Sequence, residues 1–222
     1  MNNFESKEWR SARLVFAGID FTNCFCPGGS LPVEDGDLIA PQLNRLGRMT
    51  RSSGGTVVLT RDWHPLVTKH FKKYGGPWEE HSVANTFGAE FHKDLDIFPE
   101  DIIIHKGTLP DEDAYSGFQG ADAHGRTLED IVTPRGNQRV ILLIGGLATD
   151  YCVKATVLDG LQIARRSSDM LRVIAVTDAM KAVNVQPGDG DRAIQEMQEA
   201  GAVLLSTEGV AEQLGRLGLI AA

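Results

Sequence analysis

Six runs of aliphatic and β-branched residues punctuate the chain: RLVFAGID (13–20), TVVLTRD (56–62), IIIHKG (102–107), RVILLIGGL (139–147), LRVIAVTD (171–178) and AVLLST (202–207). Each is almost continuously apolar instead of alternating with polar residues, the pattern of parallel strands covered on both faces. Between the runs the period lengthens to that of a helix. GDLIAPQLNRLGRMTRSSGG places Leu38, Leu43 and Leu46 at helical spacing and stops at glycines. DYCVKATVLDGLQIARRS gathers Val153, Val157, Leu161 and Ile163 on an apolar side, with arginines near its C-terminal end, where the helix dipole favours them. GDRAIQEMQEAG ends on a glycine suited to the position after a helix. Strands alternating with helices predict an α/β fold: three layers, α/β/α, around a central, mainly parallel six-stranded sheet. Residues 63–101 break the rhythm, with His, Pro, Gly and Trp but no long periodic segment. Loops of that length are commonly functional. Without a repeat or a linker, the chain reads as a single domain over 1–222, with 1–12 as an N-terminal extension.

Composition narrows the function more than the fold. A chain of 222 residues with 42% hydrophobic and 23% charged residues is ordinary for a globular protein. The formal charge of −8 argues against a nucleic-acid partner, which needs a basic stripe. No apolar run approaches the roughly 20 residues that cross a bilayer, so no membrane association is expected. The N-terminus resembles neither a signal nor a transit peptide. Three cysteines are too few for a disulfide framework. A reducing, cytoplasmic setting follows as the expectation, and the sequence leaves room for a homo-oligomer.

In open α/β sheets, ligands bind beyond the carboxyl ends of the strands. The polar residues there are Asp20, Asp62, Lys106 and, through Gly145–Asp150, Cys152. Asp62 and His64 are two residues apart, and His70 and His81 follow in the same loop. One carboxylate with three imidazoles suits zinc, manganese or iron; taken singly, each histidine also reads as an ordinary loop residue. A cysteine opening a helix sees the positive end of the dipole, which lowers its pKa. Backbone N–H groups of that turn and the preceding bend can face an oxyanion. On spacing alone, Cys152 reads equally well as a buried structural cysteine. Asp20 and Lys106, from two other strand ends, tilt it toward a nucleophile. Cys24 and Cys26, at C-x-C spacing, read as packing, and His92, His105 and His124 as surface or packing residues. Phe25, Trp78 and Tyr115 lie close in sequence to these candidates and suit a flat ring, or simply a core.

The segments GIDFTNCFCPGGSL, TRDWHPLVTKHF, WEEHSVANTFGAEFH, HKGTLPDEDAYSGF and GGLATDYCV resemble, in order, the motifs of nicotinamidases (pyrazinamidases) among the isochorismatase-like cysteine hydrolases. The resemblance spans about residues 13–180. It implies hydrolysis of nicotinamide to nicotinate and ammonia, a step of NAD salvage. In it, Cys152 matches the nucleophile, Asp20 its acid/base partner and Lys106 the third member. Asp62, His64, His70 and His81 match the ligands of one divalent metal ion, zinc ahead of manganese or iron, which orients the pyridine ring. Backbone N–H groups of Ala148 and Cys152 match the oxyanion hole, with the Leu147–Ala148 peptide cis. Phe25, Trp78 and Tyr115 match positions around the ring of the small-molecule substrate.

The chain departs from the pattern at four positions. Thr22 stands where the first motif often has glutamine, and Cys24 where it has a second acid. Ser82 stands where cysteine is frequent, and Tyr151 where histidine is also found. These departures bear on rim contacts and substrate preference. Three other readings remain: a hydrolase of the same fold acting on another small amide or carbamoyl compound, a metallohydrolase whose metal-activated water attacks directly, and a catalytically silent binding module.

Overall fold

Side chains along a strand alternate between the two faces of its sheet, and in the computed structural model, which describes residues 7–220, both faces are covered. The strands are β1 (Arg13–Ile19), β2 (Thr56–Asp62), β3 (Ile102–Lys106), β4 (Val140–Leu147), β5 (Leu171–Lys181) and β6 (Val203–Leu205). The helices are α1 (Ala40–Ser52), α2 (Leu128–Val132), α3 (Lys154–Arg166), α4 (Asp189–Glu199) and α5 (Thr207–Leu217). Leu14 and Phe16 of β1 and Ile141 and Leu143 of β4 pack with Leu43 and Leu46 of α1 and Val210 and Leu214 of α5. Their neighbours Val15, Ala17, Leu142 and Ile144 face the opposite layer, with Leu128 of α2, Val157 and Leu161 of α3 and Met197 of α4. The α/β/α sandwich read from the runs is therefore present. Its sheet is parallel throughout, in the order β3-β2-β1-β4-β5-β6.

The order reverses between β1 and β4, so the crevice of this fold opens at the ends of those two strands. Asp20 follows β1, and the Ala148–Cys152 segment follows β4. Asp62 and Lys106 are register partners at the ends of β2 and β3.

Several elements differ from the expectation. Leu38 is not part of the first helix face: it lies in a 3-10 turn, Gly36–Ile39, and is 61% exposed. Ile39, Leu43 and Leu46 form the buried stripe instead. Pro41 explains the shift, since proline belongs in a helix's first turn. α5 lies beyond the helices predicted from the sequence: Ser206 caps it, Gly218 follows it, and Val210, Leu214 and Leu217 repeat on its buried face. α2 is too short to announce itself by period. β5 runs three residues past its apolar segment, to Lys181, through a register shift against β4. Of the expected N-terminal extension, residues 1–6 lie outside the described residues. Trp9 packs into the core, and the Arg139 guanidinium lies 5.0 Å from its ring.

Residues 63–101 form 3-10 turns at Lys72–Tyr74 and Phe87–Ala89, and bridges pair His64 with Val83 and Phe71 with Trp78. Among the described residues, no helix is long and apolar enough to cross a membrane.

The strand ends meet closely at Gly146, where φ is 132° and an added Cβ would lie 2.0 Å from the Ile19 carbonyl oxygen. The Ile19 backbone leads directly into Asp20, so a shift there moves that residue. Gly146→Ala should therefore cost at least about 1–3 kcal/mol in urea unfolding. An unchanged midpoint and slope would contradict this close approach.

Candidate active site

Four strand ends converge on one ammonium group. Lys106, 1% exposed, places Nζ 2.9 Å from Asp20 Oδ2 and 3.5 Å from Cys152 Sγ, and in contact with Asp62 Oδ1. It also donates to the Ala114 carbonyl at 2.9 Å. Burial alone would strip the proton from this lysine; Asp20 and Asp62 overcome that and hold its pKa well above the ordinary value. Burial would likewise raise Asp62, but Lys106 and then His64 pull it well below the usual carboxylate range. Asp20 moves the other way: burial raises its pKa, Lys106 offsets only part of this, and the Asp62 charge adds to it. Thr60 fixes the Asp20 carboxyl by donating its hydroxyl to Oδ1 at 2.7 Å. Asp20 sits at a left-handed φ of 48°, a conformation that aspartate tolerates better than most side chains.

The expected depression of the Cys152 pKa by a helix end is not the outcome. Cys152 lies late in a wide π-type turn, Thr149–Val153, that precedes α3, and it is 7% exposed. Burial pushes its thiol well above the ordinary value, Lys106 offsets part of this, and Asp20 and Asp62 push further in the same direction. Cys152 thus stands beside Lys106 and close to the Asp20 carboxylate, which can take its proton. The Leu147–Ala148 peptide is cis, and both Ala148 and Cys152 line the pocket above.

Asp62 faces two ways. Its Oδ1 holds Lys106, while Oδ2 lies 3.7 Å from His64 Nε2 and 3.9 Å from His81 Nε2. One ligand-type atom from each of His64, His70 and His81 falls within 4.8 Å of the others. Each ring is anchored through Nδ1: His64 at 3.0 Å from the Gly107 carbonyl, His81 at 2.7 Å from that of Glu79, and His70 against the Asp113 carboxylate. Such anchors set the tautomer that leaves Nε2 as the lone-pair donor. Burial lowers the pKa of His70, and that of His81 to about 4, so both are neutral at neutral pH. His64 Nε2 is buried without a hydrogen-bond partner, a cost unless something else takes its lone pair. Three imidazoles and a carboxylate with these properties fit a divalent metal ion.

The pocket is bounded by Phe25, Trp78, Tyr115 and Tyr151 and by Leu31, Val33 and Val183, with Cys152 and Asp62 at its base. The cavity between these side chains is tight, with a volume of about 40 Å³. Trp78 Nε1 donates to the Tyr115 hydroxyl at 2.8 Å, and Tyr151 meets the Trp78 ring edge-on at 4.9 Å. All of the predicted site residues are thus brought to one place. His105 stacks on Trp63 at 4.5 Å and accepts from Arg61; His92 packs edge-on against Phe21.

Sequence reasoning missed several contributors. Asp113 and Gly107 lie in a loop whose course no periodicity reveals. Gly107, at φ 64°, would place a Cβ 2.4 Å from the His64 ring, so only glycine admits that imidazole. Asp150, two residues before Cys152, accepts from the backbone N–H groups of Val183 (3.0 Å) and Asn184 (2.8 Å) and so ties a pocket wall to the cysteine turn. Its signal was an acid beside the candidate nucleophile.

Cys24 and Cys26 are fully enclosed, and burial pushes both thiols up to about 12. Cys152 alone among the three lines the pocket. Iodoacetamide should alkylate Cys152 first, as read by peptide mass spectrometry over time. Faster labelling of Cys24 or Cys26 would contradict this site.

Comparison with known proteins agrees with this geometry. A family model described as the isochorismatase domain matches residues 14–209. The nicotinamidase of Escherichia coli is 36% identical over 202 residues, covering 84% of this chain and 91% of that protein. The crystal structure of the pyrazinamidase of Pyrococcus horikoshii in complex with zinc is 40% identical, with a TM-score of 0.74, over 87% of this chain and 99% of that one. PnC1 from L. infantum, in complex with nicotinate, is 28% identical, with a TM-score of 0.71, over 90% of this chain and 95% of that one. With the sandwich, the strand-end cluster and these matches in agreement, the chain belongs to the isochorismatase-like family, with nicotinamidases and pyrazinamidases among its relatives.

Proposed function

We propose that this protein is a nicotinamidase, which hydrolyses nicotinamide to nicotinate and ammonia through a thioester on Cys152, and so serves NAD salvage. The observation that carries the reading is the meeting of Asp20, Lys106 and Cys152 at the base of a pocket walled by aromatic rings. The nicotinamidase relative and the nicotinate-bound neighbour support the substrate. A single domain in the cytoplasm accords with three unpaired cysteines.

The pyridine ring enters between Phe25, Trp78 and Tyr115, with its carboxamide over Cys152. Asp20, whose burial makes it a good proton acceptor, takes the thiol proton as sulfur attacks the amide carbon. Lys106 stabilises the thiolate as it forms, and the backbone N–H groups of Ala148 and Cys152 donate to the developing oxyanion. Asp20 returns its proton to the leaving nitrogen, and ammonia departs, leaving the acyl group on sulfur. Asp20 then takes a proton from the water that attacks the thioester. Nicotinate is released as the proton returns to sulfur.

Asp62, His64, His70 and His81 would hold the metal, zinc by the analogy of the pyrazinamidase neighbour. When bound, it supplies a Lewis-acidic centre for the ring nitrogen. Its role here is orientation of the substrate, while bond cleavage belongs to Cys152.

Wild-type protein reconstituted with zinc should release ammonia from nicotinamide. Cys152→Ala should lose roughly 10⁴-fold or more in kcat, the scale seen when a nucleophile is removed. Turnover retained in that variant would refute the thioester route. His64→Ala should lose metal and raise KM; unchanged metal content and KM would refute the ligand assignment.

A further inference from the structure

The departures at Thr22, Cys24 and Ser82 are not independent, because the three side chains touch. Cys24 Sγ lies 2.6 Å from Ser82 Oγ and 3.3 Å from Thr22 Oγ1, and all three residues are buried. Each is a neutral group able both to donate and to accept, so the chain of contacts satisfies itself. A carboxylate at position 24 would instead bring a further charge to a region that already holds Asp20 and Asp62.

The contact joins two parts of the site that are far apart in sequence. Cys24 belongs to the turn after β1, directly before Phe25 of the pocket wall. Ser82 directly follows His81, and its carbonyl accepts the His64 N–H at 3.0 Å. Ser82 also holds a left-handed φ of 44°, a conformation that persists in a non-glycine residue only where its surroundings impose it. Its side-chain restraint is Cys24. Cys24 itself is absent from the lining of the aromatic pocket and borders a second cavity, beside His81 and Ser82.

We propose that Cys24 is a positioning residue for the metal site: through Ser82 it fixes the backbone from which His64 and His81 present their Nε2 atoms. This rests on the metal reading above, and it places the tuning of metal affinity in a thiol that touches neither substrate nor ligand atom.

Zinc titration calorimetry on the metal-free full chain tests this, alongside its unfolding midpoint. Cys24→Ala and Ser82→Ala should each weaken zinc binding by about 10–100-fold, the usual effect of losing support behind a ligand. The double variant should be no weaker than either single one, and Cys24→Ser, which puts a hydroxyl donor and acceptor in place of the thiol, should recover most of the affinity. Wild-type affinity in Cys24→Ala, or losses that add in the double variant, would overturn the proposal. So would a lower unfolding midpoint with zinc affinity unchanged, since that is the mark of packing alone. Ser82→Ala removes the same contact from the other side and decides the matter if Cys24→Ala does not fold. A wild type that binds no zinc would overturn the metal reading itself, and this inference with it.

Discussion

A lysine ammonium cannot be taken out of water without partners, and Lys106 is almost wholly buried. Its charge is met by Asp20 from the end of β1 and Asp62 from the end of β2, while it stands on β3 and reaches the sulfur that follows β4. Those contacts fix the relative positions of four strand ends. They also divide the chemistry of two carboxylates a short distance apart. Asp62, gripped by Lys106 and facing the histidines, stays ionised; Asp20, more weakly compensated, has the raised pKa of a proton acceptor. Pushing the pKa values of neighbouring acids apart is how a site assigns separate roles to like groups.

Asp62 is the hinge between the two halves of the site. One oxygen serves the lysine and the other faces the imidazole cluster. The cluster is held from behind by two backbone carbonyls and the Asp113 carboxylate. Most of this support comes from loops, whose backbone is kept in place by bridges such as His64–Val83 and by the close fit of Gly107 under the His64 ring. The rigid sheet positions the reacting groups, and the loop at 63–101 positions the groups that receive the ring.

The fold was legible because both faces of a parallel sheet are buried, so its strands stand out as apolar runs without alternation. Helix edges were less so: Leu38 fits the period of α1 but sits in the turn before it, because helical geometry begins only around Pro41. The candidate residues were legible because strand ends are where chemistry collects in this architecture, and the resemblance named the rest. The upward push on the Cys152 thiol was not, since position at a helix terminus is a local cue, whereas burial near two carboxylates is a tertiary one. Asp113, Gly107 and the Cys24–Ser82 contact were hidden for a related reason. Each acts through a residue distant in sequence, and no spacing records that partnership.

In the proposed reaction sulfur, and not water, makes the first bond to the substrate carbon. Rapid acid quenching of the zinc-loaded enzyme during turnover of nicotinamide, followed by mass spectrometry of the peptide that carries Cys152, tests it most directly. A nicotinoyl group should appear on Cys152 with the first ammonia released and decay as substrate is exhausted. Steady turnover with that peptide unmodified at every quench time, or with the acyl group on another residue, would contradict it.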